Sequence, residues 1–246
     1  MPAHDFRSPR LYVDAPLGEG QTVALERDQS NYLGNVLRLS AGDSVLVFNG
    51  CDGEWRACIA GRKRPDSLAI ESRIRPQDCL PDLTFVFAPL KHARLDYMVQ
   101  KAVELGSSRL QPVLTRHTQA ARVNLDRMRA NAIEAAEQCG ILNVCEIGDA
   151  LPLSKVLAQR APERVLIFCD EDAPTRDPAA ALSEIARGTP LAVLVGPEGG
   201  FAEDERELLL RETNIVRLAL GPRILRADTA AISALTLAQT MLGDWG

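Results

Sequence analysis

The sequence predicts an α/β protein in two parts: a small β-barrel comes first, and a mostly parallel sheet covered by helices follows. Within residues 8–75, short runs of alternating apolar and polar residues are separated by turn residues, a pattern that favours antiparallel hairpins. After residue 82, apolar runs of strand length alternate with helix-like segments, which is typical of βα units. We therefore expect a β-barrel domain over residues 1–75 and an α/β domain over residues 82–246, joined by the proline-containing stretch PQDCLPD.

The N-terminal elements follow from their turn signals. The runs RLYVDAP and QTVALE predict the first two strands, and DSVLVFNGCDGEWRACIAGRKRPDSLAIES predicts further strands that turn at Asn49-Gly50 and Asp52-Gly53. Between these runs, RDQSNYLGNVLRLSAGD spaces its apolar residues as a helix does. Gly42 is a suitable end for that helix, because glycine is common just past a helix C-terminus.

The C-terminal region predicts five strand–helix units. Their strands are LTFVFAP, LQPVLT, RVLIFCD, LAVLVG and IVRLAL, and a segment with helical spacing of apolar residues follows each. Ligands of such sheets bind beyond the carboxyl ends of the strands. Two glycine-proline loops, at 196–200 and 221–222, follow the last two strands, and we expect them to form one pocket at adjacent strand ends.

The bend at 196–200 differs from phosphate-binding loops. A Walker A loop needs Lys-Ser/Thr after its glycines and a dinucleotide-binding loop needs G-x-G-x-x-G, whereas GPEGGF fits neither pattern. Four acidic residues open the following helix, where they suit the helix dipole but repel phosphate: Glu203, Asp204, Glu205 and Glu207. The bend therefore favours an uncharged or positively charged ligand such as an adenosyl sulfonium, with a plain tight turn as the alternative.

Composition excludes several classes of protein. The formal net charge of −5 argues against a nonspecific coat for nucleic acid but is compatible with a local basic patch. No apolar stretch approaches the roughly 20 residues that span a bilayer, and the N-terminus lacks the apolar segment of a signal peptide. The 6 cysteines and 3 histidines show no metal-ligand spacing. We expect a cytoplasmic protein with no membrane association and no metal site.

Two motifs together resemble the RsmE family of SPOUT methyltransferases: LVGPEGGFAEDE (194–205) and LALGPRILRADTA (218–230). The likeness extends to NYLGNVLRLSAGD, LDYMVQKAVELG and AAEQCG, and so covers nearly the whole chain. Members of this family methylate N3 of a uridine in 16S rRNA of the small ribosomal subunit. The resemblance implies a PUA-like RNA-binding barrel, a C-terminal domain with a trefoil knot, S-adenosylmethionine (SAM) as the cofactor, and a homodimer.

The resemblance also implies the site residues. The cofactor-binding residues would be Leu194, Gly196, Pro197, Glu198, Gly199, Gly200, Leu218, Leu220, Gly221, Ile224, Leu225 and Arg226. Arg226 would stabilise the negative charge that the uracil carbonyls gain when N3 loses its proton, with Glu198 and Asp228 as further catalytic candidates. We expect Asp228 to cap the last helix and to hold Arg226. The RNA contacts would be Arg7, Arg10, Arg62, Lys63, Arg64, Lys91 and Arg94.

The sequence departs from the family pattern at four positions. Asp228 is shorter than the usual glutamate, and His117, Ile141 and Cys145 stand where arginine, arginine and proline are common. The general base, the target nucleotide, and the choice between free rRNA and an assembled subunit are left open. Two alternatives are a SPOUT enzyme for another rRNA or tRNA site, and an inactive RNA-binding module. The nearly uncharged segment 229–242 predicts self-association, with burial inside the monomer as the competing interpretation.

Overall fold

The computed structural model describes residues 8–61, 64–91, 93–120 and 122–245, which form two compact units. The first unit contains the described residues up to Cys79 together with Ile133–Val144. The second contains Leu80–Ala132 and the chain from Cys145 onward. The segment 133–144 thus packs with the first unit, whereas the bounds predicted from the sequence assign it to the α/β domain. Among the described residues, no helix has both the length and the hydropathy that a membrane span requires.

The first unit is built on a curled five-stranded sheet, as the turn signals predict. Its strands are β1 (Arg10–Tyr12), β2 (Thr22–Ala24), β3 (Ser44–Phe48), β4 (Glu54–Ala60) and β5 (Ser67–Arg75). Their order is β1-β3-β4-β5-β2, and only the β1–β3 pair is parallel. Alternate residues of β3, β4 and β5 face one apolar core, in which Leu33, Val45 and Leu68 are fully buried.

The helical segment of this unit ends earlier than predicted. Helix α1 (Arg27–Asn31) continues into a π-helical turn at Tyr32–Val36, in which the Leu37 N–H donates to the Tyr32 carbonyl. The chain then leaves the helix through Arg38, whose φ is +58°. The expected stop at Gly42 was therefore wrong, since that glycine lies in the turn before β3. The wide turn carries Leu33 into the core and ends the helix after it.

The second unit contains a wholly parallel sheet, which confirms the predicted βα pattern. Its strands are β6 (Leu83–Phe87), β7 (Arg109–Leu114), β8 (Glu146–Ile147), β9 (Leu151–Pro152), β10 (Val165–Cys169), β11 (Leu191–Val195) and β12 (Ile215–Leu218). The order is β12-β10-β11-β6-β7-β8, and β9 also pairs with β7. The two-residue strands β8 and β9 were not predicted. The trefoil knot implied by the resemblance stays a prediction.

Helices cover the sheet on both faces. They are α2 (Ala93–Glu104), α4 (Leu153–Gln159), α5 (Pro178–Leu182), α6 (Glu203–Leu210) and α7 (Ala227–Leu242), whereas α3 (Leu125–Cys139) begins in this unit and ends in the first. One face of the sheet packs with α4 and α6 around Leu194 and Phe168. Helix α7 packs against α2, α5 and β11, and it buries Ala231, Leu235 and Ala238. The long apolar helix is thus partly covered within the monomer.

Candidate functional site

Two loops leave the carboxyl ends of strands in the second unit. The first loop (196–202) follows β11 and leads into α6, and the second loop (219–226) follows β12 and leads into α7. Because β10 lies between β11 and β12, the expectation of adjacent strand ends was wrong. Any ligand that touches both loops therefore extends across the end of β10.

The first loop requires glycine at two positions for different reasons. The Gly200 N–H donates to the Pro197 carbonyl (N···O 2.9 Å), and Gly200 has a φ of +69°, which favours glycine. A Cβ on Gly196 would lie 2.5 Å from the ring of Phe201, which packs edge-on against Phe168. The turn is therefore fixed by backbone conformation at one end and by aromatic packing at the other.

Side chains from two neighbouring elements brace the first loop. The guanidinium of Arg94, at the start of α2, pairs with the carboxylate of Glu198. His117, in the turn after β7, contacts the loop through Nδ1, which lies 3.1 Å from the Gly199 carbonyl oxygen and 3.0 Å from that of Gly200. Since carbonyl oxygens only accept hydrogen bonds, Nδ1 carries the proton and donates. The sequence marked His117 only as a departure from the family pattern.

The residue before His117 braces the helix that follows the loop. The Arg116 backbone N–H donates to Glu205 (3.0 Å), and its guanidinium donates to Asp204 (2.6 Å). The other carboxylate oxygen of Glu205 accepts from the Ala202 N–H (3.0 Å) at the N-terminus of α6. The acidic residues that open α6 thus hold the loop in place, besides suiting the helix dipole.

The second loop has unbonded backbone groups. Among the described residues, none of 221–225 forms a hydrogen bond. Gly221 has a φ of +97° with open space where a Cβ would point, and the side chain of Ile224 is 91% exposed. Exposed backbone donors and acceptors beside a bare apolar side chain suit a ligand that has a flat apolar part with polar edges.

Arg226 ends the second loop and is the N-cap residue of α7. Its side chain is exposed, and within the described chain it forms no ion pair or hydrogen bond. Asp228 forms no ion pair or hydrogen bond with the Arg226 side chain in the described part of the chain, so the expectation that it holds Arg226 was wrong. Asp228 lies in the first turn instead, where its carboxylate accepts from the Thr229 N–H (2.8 Å). The guanidinium of Arg226 is therefore available to a ligand.

The leucines predicted to line the cofactor pocket differ in exposure. Leu194 and Leu218 are buried in β11 and β12, whereas Leu220 and Leu225 are half-buried. The first pair belongs to the sheet core, and only the second pair and Ile224 present apolar surface at the loops. The structure describes no group of three or more His, Cys, Asp or Glu side chains arranged to hold a metal.

The predicted RNA contacts have different positions. Arg7, Arg62 and Lys63 lie outside the described residues. Lys91 is exposed after β6, and Arg94 is engaged by Glu198.

Arg10 is not a surface residue, so the prediction of an RNA contact there was wrong. Its side chain is 3% exposed and pairs with Glu54 (2.8 Å), which also binds Arg75 (2.8 Å). Arg10 lies on the face of β1 opposite to Leu11, where Gly140 of the segment 133–144 lies against its guanidinium.

The first unit carries a polar cleft that the sequence did not reveal. Its volume is about 470 Å³, and it is lined by α1 and the π-helical turn together with Arg64. The side chains of Arg27, Asn31 and Asn35 line it, and Asn35 donates to Asn31 (2.6 Å). The i, i+4 spacing of the two asparagines was the signal that could have indicated a polar helix face. The carboxylate of Asp28 also lines the cleft, so its two arginines leave one net positive charge, which together with the two amides suits phosphate groups and base edges.

Family profiles match most of the chain. A profile described as an RNA methyltransferase domain matches residues 78–239, and one described as an RNA methyltransferase PUA domain matches residues 25–68. The ribosomal RNA small subunit methyltransferase E of Rickettsia conorii is 32% identical over 228 residues, which cover 92% of this chain and 93% of the relative. The protein of the same name from Synechocystis sp. is 29% identical over 225 residues, which cover 90% of this chain and 74% of the relative.

Two solved structures share the fold over nearly their whole length. The ribosomal RNA small subunit methyltransferase E of Neisseria gonorrhoeae, bound to SAM, superposes with a TM-score of 0.87 at 27% identity and covers 98% of this chain and 100% of its own. A Legionella pneumophila protein in complex with SAM superposes with a TM-score of 0.85 at 27% identity. The match covers 97% of this chain and 99% of the Legionella chain.

Proposed function

This chain belongs to the ribosomal RNA small subunit methyltransferase E family, and from that premise we propose that it methylates N3 of a uridine in 16S rRNA with SAM as the methyl donor. The observation that supports the proposal best is the set of free polar groups on the second loop. Within the described part of the chain, residues 221–225 form no hydrogen bond, and the side chain of Arg226, the last residue of the loop, has no partner. Two structures of the same fold hold SAM.

The residues of the two loops fit this cofactor. An adenine ring needs apolar cover and backbone hydrogen bonds at its polar edge, which Ile224 and residues 221–225 offer. Glu198, the one carboxylate within the first loop, is neutralised by Arg94. When bound, SAM supplies a methyl group already activated on a sulfonium. The chain's own residues therefore have to hold the uridine and to deal with its N3 proton.

Arg226 is the residue that we assign to transition-state stabilisation. It remains charged at every relevant pH, and its planar donors match the paired charge that develops on the uracil carbonyl oxygens. The N-terminus of α7 adds positive potential at the same place. Asp228, in the first turn of that helix, is our candidate for accepting the N3 proton, since Glu198 is occupied by Arg94.

We assign RNA contact in the first unit to the cleft of Arg27, Asn31, Asn35 and Arg64. Arginines bind phosphates through their fork of donors, and side-chain amides bind base edges. Lys91, exposed beyond β6, is a further candidate in the second unit. A substrate of this kind would place the protein in the cytoplasm, beside the assembling small subunit.

We also propose a homodimer through the outer face of α7. Asp228 is the helix's sole charged residue, and Ile232, Thr236 and Leu237 remain only half-buried. Two-fold pairing of identical faces is the commonest way to cover such a surface. Light scattering should give twice the chain mass, and Thr236→Glu should shift the equilibrium to monomer. A monomeric wild-type protein at micromolar concentration would contradict the proposal.

The function is tested by methylation in vitro. Small subunits or free 16S rRNA from a strain that lacks this gene are incubated with the protein and SAM, and nucleosides are then quantified by mass spectrometry. We expect 3-methyluridine at one position. A different methylated nucleoside, or methylation of tRNA, would favour a related enzyme with another target. RNA binding without any methylation would favour an inactive binding module.

A further inference from the structure

A buried carboxylate lies between the two loops, at the carboxyl end of β10. The side chain of Asp170 is 1% exposed. It accepts hydrogen bonds from Arg206, whose Nη1 and Nη2 lie 2.7 and 3.1 Å from its two oxygens, and from Arg217 Nε at 2.6 Å. The Asp172 N–H also donates to it (3.1 Å). The carboxylate is thus surrounded by donors from three segments of the chain.

The two arginines come from the elements that carry the two loops. Arg206 belongs to α6, the helix that follows the first loop. Arg217 belongs to β12, the strand that precedes the second loop. Strand β12 is the edge of the sheet, and among the described strands it pairs only with β10. The Asp170 N–H adds a bond to the Leu218 carbonyl (3.0 Å). The position of the second loop relative to the first therefore depends on Asp170.

Around Asp170, the positive charges outnumber the buried negative charge. Two guanidinium groups share one buried carboxylate, and the additional Asp172 is 75% exposed and lies 3.5 Å from Arg206. Burial raises the pKa of Asp170, but the hydrogen bonds from Arg206 and Arg217 outweigh it and hold the pKa below its usual range. Without the Asp170 carboxylate, the guanidinium groups of Arg206 and Arg217 would lie close together with little negative charge beside them.

We propose that Asp170 is a positioning residue that holds the two cofactor loops at the separation SAM requires, by binding Arg206 of α6 and Arg217 of β12 through one carboxylate. The proposal rests on the proposed function, since it needs SAM to touch both loops. It adds a residue that lies outside both sequence motifs. Because the Asp170 side chain is 1% exposed, we assign its effect to the placement of the two loops and not to contact with the ligand.

The test is SAM titration of Asp170→Asn by calorimetry at a temperature where the variant is folded. We expect affinity to fall about tenfold or more, because the loops lose their common anchor, while the single-turnover rate at saturating SAM changes less than about threefold. Arg217→Gln keeps the carboxylate paired with Arg206 and should weaken binding less. The double variant Asp170→Asn/Arg217→Gln should bind SAM no more weakly than Asp170→Asn alone. Both changes remove the same contact between Asp170 and Arg217.

Glu212→Gln is the matched control, because Glu212 pairs with the buried Arg160 (2.9 Å) just before β12 begins, at the opposite end of that strand. It should lower the melting temperature and leave SAM affinity within about twofold. Wild-type affinity in a folded Asp170→Asn variant, or an equal loss in Glu212→Gln, would overturn the inference. Failure of the wild-type protein to bind SAM would instead contradict the proposed function.

Discussion

Arg94, the second residue of α2, pairs with Glu198 at the tip of the first loop, 104 positions away in the chain. The side chains are 44% and 34% exposed. Ion pairs with that exposure contribute at most about 1 kcal/mol to stability. The pair thus determines where the loop lies more than it stabilises the fold.

Glu198→Gln should therefore weaken SAM binding by about two- to fivefold, because the loop loses its ionic brace. The melting temperature should stay nearly constant, and the single-turnover rate at saturating SAM should stay within about threefold. Glu207→Gln, which breaks the exposed pair with Arg211 on α6, is the control for removing a carboxylate. A hundredfold loss of the saturated rate would show that Glu198 acts on the reacting base instead.

Arg226→Ala should lower the single-turnover rate by roughly a hundredfold or more and leave SAM affinity nearly unchanged, since one charged donor to the transition state is lost. Arg226→Lys should restore little, because an ammonium cannot reproduce the planar fork. Quenched-flow methylation of small subunits measures the rate, and Arg211→Ala controls for removing an exposed arginine. Turnover near the wild-type value in Arg226→Ala would end this assignment.

Gly221→Ala should abolish detectable SAM binding, whereas Gly188→Ala should not affect it. Both glycines have positive φ, +97° and +80°, and open space around the Cβ position, so both variants pay a similar backbone strain of about 1 kcal/mol. Only Gly221 lies in the second loop. Equal SAM affinity in the two folded variants, measured by calorimetry, would contradict the placement of the ligand there.

The stability of the first unit should fall as the pH rises through about 7. Burial, opposed by the hydrogen bond from the Tyr12 N–H and aided by the charge of Glu134, raises the pKa of Glu137 from 4.5 to about 7. The folded state therefore binds this proton more tightly than the unfolded chain does. Its contribution is complete below the unfolded pKa and is lost as the pH passes the folded one.

The expected loss is about 2 kcal/mol between about pH 5.5 and about pH 8.5. Urea unfolding at both pH values measures it, followed by the fluorescence of Trp55 in a Trp245→Phe background. Glu137→Gln keeps an acceptor for the Tyr12 N–H and should remove this dependence on pH. An unchanged pH profile in that variant would assign the titration to another group.

The strands that the sequence predicted are those whose own apolar pattern is long enough to identify them. β11 is five consecutive buried residues, and β3 is apolar after its first position. The strands β8 and β9 have two residues each and exist because β7 offers them partners, which no local pattern reveals. The π-helical turn was not predicted either, because the sequence shows only α-helical spacing of apolar residues, and the wider turn leaves Val36 61% exposed.

The glycine loops could be located from the sequence, whereas their supports could not. A glycine-proline bend after an apolar run can be recognised from neighbouring residues alone. Both loops lie at the positions that this pattern predicted. His117 braces a loop 82 positions away, and Asp170 joins two elements that come 36 and 47 positions later. Such pairings depend on strand order. The burial of Arg10 depends likewise on distant residues, namely Glu54 and Gly140.

The membership of residues 133–144 in the first unit has a consequence for synthesis on the ribosome. Tyr12 donates to Glu137, Arg75 donates to the Gly140 carbonyl (2.8 Å), and Gln77 donates to Asn143 (3.2 Å). The barrel strands emerge first, yet these partners are translated only after β6 and β7. These three contacts therefore form only after more than fifty further residues have been translated. The apolar core of the first unit lies within residues 11–70 and can form early, yet the unit is completed only after the second has begun.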